Sequence, residues 1–139
     1  MKTVIVSGYF NPLHIGHLAY FRAAKRLGDE LWVIVNNDRQ VKLKGSVPFM
    51  CAADRLRIVS ELRVVDRAVM SIDEDRTVRK TVASLWDDRN EFVFANGGDV
   101  TRETVPEVEV CEDLGIELAF GVGGGKIAAS SDLLQKAGI

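Results

Sequence analysis

With 139 residues, 47% of them hydrophobic and 27% charged, the chain has material for one core and too little length for two. A formal net charge of −2 gives it no basic surface to hold a nucleic acid by bulk electrostatics. No segment has the apolar length of a membrane span, and residues 1–6 are broken by Ser7 and Gly8 before they could act as a signal sequence. The expectation is a single cytoplasmic domain over residues 1–139, with neither nucleic acid nor membrane as a partner.

In chain order, strand-like apolar runs at 3–7, 30–36, 67–72, 91–95 and 116–121 alternate with helix-period runs at 15–27, 52–62, 76–86 and 105–114, and a last short one at 131–136. Gly28 is placed to end the first helix, Thr104 and Pro106 to open the fourth, and Gly115 to close it. Strands that are almost continuously apolar belong to a parallel sheet covered on both faces. The predicted fold is therefore α/β, a single doubly wound Rossmann-like domain with a five-stranded parallel sheet. Residues 37–50 show no clear periodicity and carry Lys42, Lys44, Gly45 and Pro48, which reads either as a solvated surface loop or as a mobile basic flap able to close over phosphates. Cys51 and Cys111 have no zinc or disulfide spacing and read as small buried hydrophobes. The acidic runs 73–75 and 87–88 read as helix-start charge and a solvated turn.

The only two histidines, His14 and His17, lie where the first strand hands over to the first helix, in the stretch Ser7-Gly8-Tyr9-Phe10-Asn11-Pro12-Leu13-His14-Ile15-Gly16-His17. Helix N-termini at that edge of an open α/β sheet present unpaired N–H groups to anions, so phosphate is the first ligand to consider. Gly8 permits a tight turn and close approach of the backbone, and Gly16 removes a side chain where a nucleotide would press on the first helical turn. Two histidines without a third ligand make a poor metal site.

This stretch resembles the signature of the HxGH nucleotidyltransferases of the cytidylyltransferase-like family, and Leu62-Arg63-Val64-Val65-Asp66-Arg67-Ala68-Val69 is similar to the family's Arg-x-Val-Asp-x-Val segment. The resemblance implies transfer of CMP or AMP from an NTP to a phosphorylated small molecule, a sugar or polyol phosphate, with release of pyrophosphate. A phosphate oxygen is already a nucleophile, so positioning and charge stabilisation carry the reaction. The implied catalytic groups are His14, His17 and Lys44. The implied nucleotide-binding groups are Gly8, Tyr9, Phe10, Asn11, Gly16, Lys42, Arg63, the turn Asn96, Gly98 and Asp99, and Lys126, Ser130 and Ser131 in a C-terminal loop. Magnesium would travel with the NTP without a dedicated protein cage, and the small relatives imply a homodimer. Asn11 stands where many cytidylyltransferases have Asp, and Lys126 where an Arg is usual. For Arg63, a nucleotide or acceptor contact and a simple helix-end charge stay open as alternatives. The rival to the enzyme is a nucleotide-binding module of the same fold that has lost turnover.

Overall fold

The computed structural model describes residues 1–124. The strands are β1 (Lys2–Gly8), β2 (Glu30–Val35), β3 (Arg67–Met70), β4 (Glu91–Ala95) and β5 (Glu117–Ala119). The helices are α1 (Ile15–Lys25), α2 (Asp38–Leu43), α3 (Ala52–Ser60), α4 (Arg79–Leu85) and α5 (Val108–Leu114). All pairings are parallel and the sheet order is β3-β2-β1-β4-β5. The chain works outward from β1 to β3, then returns to lay β4 on the other side of β1.

Right-handed crossovers fix which face each helix covers, so reversing the direction of travel moves the later helices to the opposite face. The core shows this as two clusters. Val4, Val6, Leu31, Val33, Val35, Val93 and Ala95 pack with Phe21 and Ala24 of α1 and Val59 of α3. The alternate residues Ile5, Ile34, Phe92 and Phe94 pack with Val82 of α4 and Cys111 of α5. Strand side chains point to opposite faces in turn, and both faces are apolar, which explains the unbroken apolar runs. The expected five-stranded, doubly wound α/β fold is the observed one.

Four local expectations change. Residues 37–50 contain a short helix, α2, whose N-cap Asn37 accepts from the Gln40 N–H while Gln40 Oε1 accepts from the Asn37 N–H at 3.0 Å. Six helical residues are too few to show a period. The helices α4 and α5 start three residues later than expected, because the preceding side chains build turns instead: Asp75 accepts from Thr77, and Thr104 Oγ1 from the Thr101 N–H. Cys51 is exposed, as the residue before α3, whereas Cys111 is buried as expected and its thiol is pushed up to about 12, first by burial and then by Glu107. Asp73 does begin a helix, but from a buried position, accepting from the N–H groups of Lys80 and Thr81 and from the Thr81 hydroxyl. Asp87 sits in the expected solvated turn, accepting from Arg89 and Asn90. Among the described residues no helix is long and apolar enough to cross a membrane, and the predicted helix at 131–136 lies outside them.

Of the two glycines expected to end helices, only Gly115 does so, since α1 ends at Lys25 with Arg26 as its C-cap. Gly115 adopts the left-handed conformation, φ 70°, that closes α5. Gly28 follows α1 by three residues and is required for space: a Cβ there would lie 2.8 Å from the Lys2 carbonyl oxygen and 2.9 Å from Val4 Cγ2. Gly28→Ala must push the α1–β2 connection away from β1, at a cost of about 1–3 kcal/mol. A urea midpoint clearly below that of the parent, with an unchanged m-value, is the expected result, whereas Gly115→Ala should act only through backbone strain at a residue with open space around it.

Candidate active site

A reversal of strand order at β1 opens a crevice at the carboxyl edge of the sheet between β1 and β4, the place where open α/β sheets bind ligands. The β1–α1 turn, residues 9–14, sits there, and its conformation follows from packing. Phe10 takes φ 50°, which turns its ring back under β1. The ring occupies the place of a Gly8 side chain, since a Cβ on Gly8 would lie 2.6 Å from it. Gly8 therefore makes room for Phe10 rather than for a ligand. Phe10 is buried and meets Phe21 (5.3 Å between centroids, 74°) and His17 (4.9 Å, 85°) edge to face, so its ring supports the imidazole from below. The Asn11–Pro12 peptide bond is cis.

His14 is the N-cap of α1. Its Nδ1 accepts from the Gly16 N–H at 3.1 Å, and His17 Nδ1 accepts from the His14 N–H at 3.0 Å. The two imidazoles thus form a capping box normally built from Ser or Thr and Glu or Gln. They stack with centroids 3.8 Å apart and 26° between planes. A neutral imidazole whose Nδ1 accepts must carry its proton on Nε2. Both rings are therefore set as Nε2–H donors on the side away from the cap. Burial, then His14, then Lys44 hold His17 far below its ordinary value of 6.5, at about 3. It is a neutral hydrogen-bond donor across the physiological range.

Lys44 is the C-cap of α2, and its Nζ lies over the Tyr9 ring, 4.4 Å from the centroid. The segment expected to act as a flap contains α2, and its Lys44 stands close enough to His17 to lower that imidazole's pKa. Lys42 is exposed on the last turn of α2.

What holds these pieces together is Arg55 on α3, which the sequence reading passed over. It is 1% exposed and splays its guanidinium over four partners: Nη1 to the carbonyls of Tyr9 (2.6 Å) and Asn36 (2.8 Å), Nε to that of Met50 (3.1 Å), and Nη2 to Asp38 Oδ1 (2.8 Å). Asp38 Oδ2 in turn accepts from the Ala52 N–H at the start of α3. The sequence signal is an arginine on the buried face of an amphipathic helix, between Ala52 and Val59. Asn36, Asn37 and Gln40 extend this polar network to the β3–α4 loop, where Asn37 Nδ2 donates to Ser71 and Asp73 and Gln40 Nε2 to Asp75 and Thr77.

Across the crevice, the β4 loop is tied to α1 by Tyr20, whose hydroxyl donates to the Ala95 carbonyl. Asn96 links the ends of β4 and β5: its N–H donates to Ala119 and its carbonyl accepts from Val122. Gly98 takes φ 66° with open space around it, and Asp99 is exposed. The structure thus brings His14, His17, Lys42, Lys44, Tyr9, Asn96, Gly98 and Asp99 to one edge. Two predicted groups are used differently. Both polar ends of the Asn11 amide are bonded within the chain, and the Gly16 N–H serves the cap. Arg63 is separated from the site: it is exposed in the α3–β3 connection, at the amino edge of the sheet, because β3 begins beside the start of β2. In the same connection Asp66 joins elements, accepting from the Leu31 N–H and pairing with Lys25, and although partial burial opposes it, these contacts hold its carboxyl below the usual range. Lys126, Ser130 and Ser131 lie outside the described residues.

Fold and site together define a Rossmann-like α/β domain with a histidine-bearing loop, flanked by Lys44, at its strand-order reversal. The comparisons agree: the chain belongs to the cytidylyltransferase-like family, whose model matches residues 5–116. It is 41% identical over 88 residues to an FAD synthase of Thermoplasma acidophilum, a match covering 63% of this chain and 61% of that protein, and 37% identical over 139 residues to the bifunctional protein HldE of Geotalea uraniireducens, covering 97% of this chain and 26% of that one. The chain thus spans under two thirds of the length of these curated relatives. A lipopolysaccharide core biosynthesis protein from Thermoplasma volcanium has the same architecture, with a TM-score of 0.68 and 32% identity over 86% of this chain and 93% of that one. A bifunctional NMN adenylyltransferase/ADP ribose pyrophosphatase from Francisella tularensis shares the fold, with a TM-score of 0.68 at 13% identity, covering 99% of this chain and 42% of that one.

Two measurements check the site. With two histidines in the chain, imidazole nitrogen NMR resolves both; each should show the Nε2–H tautomer, and His17 should stay neutral down to about pH 4. Unfolding returns His17 to 6.5, so the unfolded chain takes up a proton that the fold excludes between 6.5 and about 3. The stability tied to this residue is complete above 6.5 and falls as the pH drops. Arg55→Ala takes its donor from the buried Asn36 carbonyl, from the half-buried Tyr9 and Met50 carbonyls and from Asp38, and should cost about 3 kcal/mol in denaturant unfolding.

Proposed function

We propose that the chain is a nucleotidyltransferase that moves AMP from ATP to the phosphate of a small molecule and releases pyrophosphate. The observation that carries this is the capped, stacked histidine pair, which fixes two imidazole N–H donors beside Lys44 at the sheet edge. A phosphate oxygen of the acceptor attacks the α-phosphorus, a new phosphoanhydride bond forms, and the bond to the β-phosphate oxygen breaks. No side chain need be acylated or phosphorylated. Charge grows on the non-bridging α-oxygens and on the departing pyrophosphate, and fixed donors aimed at those atoms lower the barrier without reorganising. Neutral His17 suits this task, since it donates without changing protonation. Lys44 supplies the positive charge that neutral His17 lacks.

The sequence left CTP and ATP open. Support for ATP comes from the FAD synthases among the relatives, since FAD is AMP joined to FMN through a pyrophosphate. FMN carries a ribityl phosphate, which is a polyol phosphate, so it is the first acceptor to test, followed by sugar phosphates. Among the described residues no group of three His, Cys, Asp or Glu is placed to hold a metal ion. Magnesium would come with the nucleotide, bound through phosphate oxygens and water.

Pyrophosphate release should be measured with ATP and CTP against FMN and a panel of sugar and polyol phosphates. Release with ATP and one acceptor is expected, and His17→Ala should lower kcat/KM about 10²-fold or more with native-like circular dichroism. ATP that raises the melting temperature but gives no pyrophosphate with any acceptor would instead identify a binding module.

A further inference from the structure

Asn11 is 3% exposed, and its side chain is the meeting point of two segments of the site. Its Nδ2 donates to the Val47 carbonyl at 2.9 Å, and its Oδ1 accepts from the Phe49 N–H at 2.6 Å. One backbone partner is an acceptor and the other a donor, so the amide has one satisfying orientation. Pro48, between them, has no N–H to give. The two side chains flanking it, Val47 and Phe49, are 64% and 45% exposed, so apolar burial contributes little to holding this stretch down. Its N-terminal neighbour Ser46 is bonded back to Val41 of α2, and its C-terminal neighbour Met50 to Arg55. Asn11 belongs to the histidine turn, next to Phe10 and three residues before His14.

We propose that Asn11 is a positioning residue: its amide clips the lysine-bearing segment 44–49 against the histidine turn and so sets Lys44 relative to His17 and the triphosphate. This rests, for its catalytic half, on the transferase reading above. The clip needs an amide. An aspartate at the same position has the same shape and can accept from Phe49, but once ionised it has no proton for the Val47 carbonyl and faces that oxygen with negative charge. Protonated, it restores the donor. The ionisable groups on the elements around position 11 are Tyr9, His14 and His17 on its own turn, Asp38 and Lys44 at the ends of α2, and Arg55 on α3.

The test compares the parent, Asn11→Ala and Asn11→Asp. Lys42 and Lys44 are exposed tryptic sites beside the clipped stretch. At about pH 8, mass spectrometry should show cleavage after them about tenfold faster in both variants, with cleavage elsewhere unchanged. Asn11→Asp keeps the volume, so a side chain that merely fills space would leave it cut at the parent rate, and that result overturns the clip. In steady-state kinetics both variants should raise KM for ATP about tenfold at that pH and leave KM for the acceptor unchanged. The ratio of Asn11→Asp to parent activity should climb back as the pH falls toward about 5 and the carboxyl gains its proton. A flat ratio, or a change confined to acceptor KM, overturns the proposal. If the parent releases no pyrophosphate, the transferase reading fails on its own, and the tryptic comparison still decides whether the amide holds the segment.

Discussion

One buried guanidinium sets the shape of the carboxyl edge. Parallel strands end on the same side, so their outgoing connections crowd together with backbone groups that no ladder satisfies. Here three of those groups, the carbonyls of Tyr9, Asn36 and Met50, turn toward one point on α3, and Arg55 fills it. A planar fork with five N–H donors can serve several acceptors in fixed directions, which a lysine ammonium cannot do. Asp38, 38% exposed, partly balances the charge. The histidine turn, the end of β2, the start of α2 and the segment before α3 are therefore mutually oriented before any ligand arrives.

The electrostatics of the edge follow from this economy. Charge is kept off His17 by burial, then by His14 and by Lys44, while Lys44 itself rests on the face of Tyr9. Tyr9 is the same residue whose carbonyl Arg55 holds, so one backbone position serves both cations. A neutral His17 and the Lys44 cation thus stand side by side at this edge.

Long-range architecture was legible in the chain because it depends on pattern. Five apolar runs and the helices between them announced a parallel sheet covered on both faces, and the two packed clusters that alternate along each strand are the reason those runs have no polar phase. The candidate site was legible where residue type and spacing suggest a chemistry, as in His14, His17 and Lys44. It was illegible where a side chain's meaning depends on what lies 30 or 40 residues away. Asn11 reads as a ligand-binding polar residue until Val47 and Phe49 are seen against it, and Gly8 reads as open space until Phe10 is seen to fill it. Arg55 carries no motif, and its one visible oddity is a charge on an apolar face. The helix α2 is held by Asn37 and Gln40, whose capping bonds and contacts to 71–77 replace the hydrophobic stripe that periodicity detects.

The imidazoles that would face the phosphates in the proposed reaction also begin the first helix, since each Nδ1 accepts a main-chain N–H that would otherwise be orphaned. Folding and chemistry therefore select the same two residues by opposite edges of each ring. A descendant that had abandoned its substrate would still be held to histidine at these positions by the helix they start, so the signature would outlive the activity.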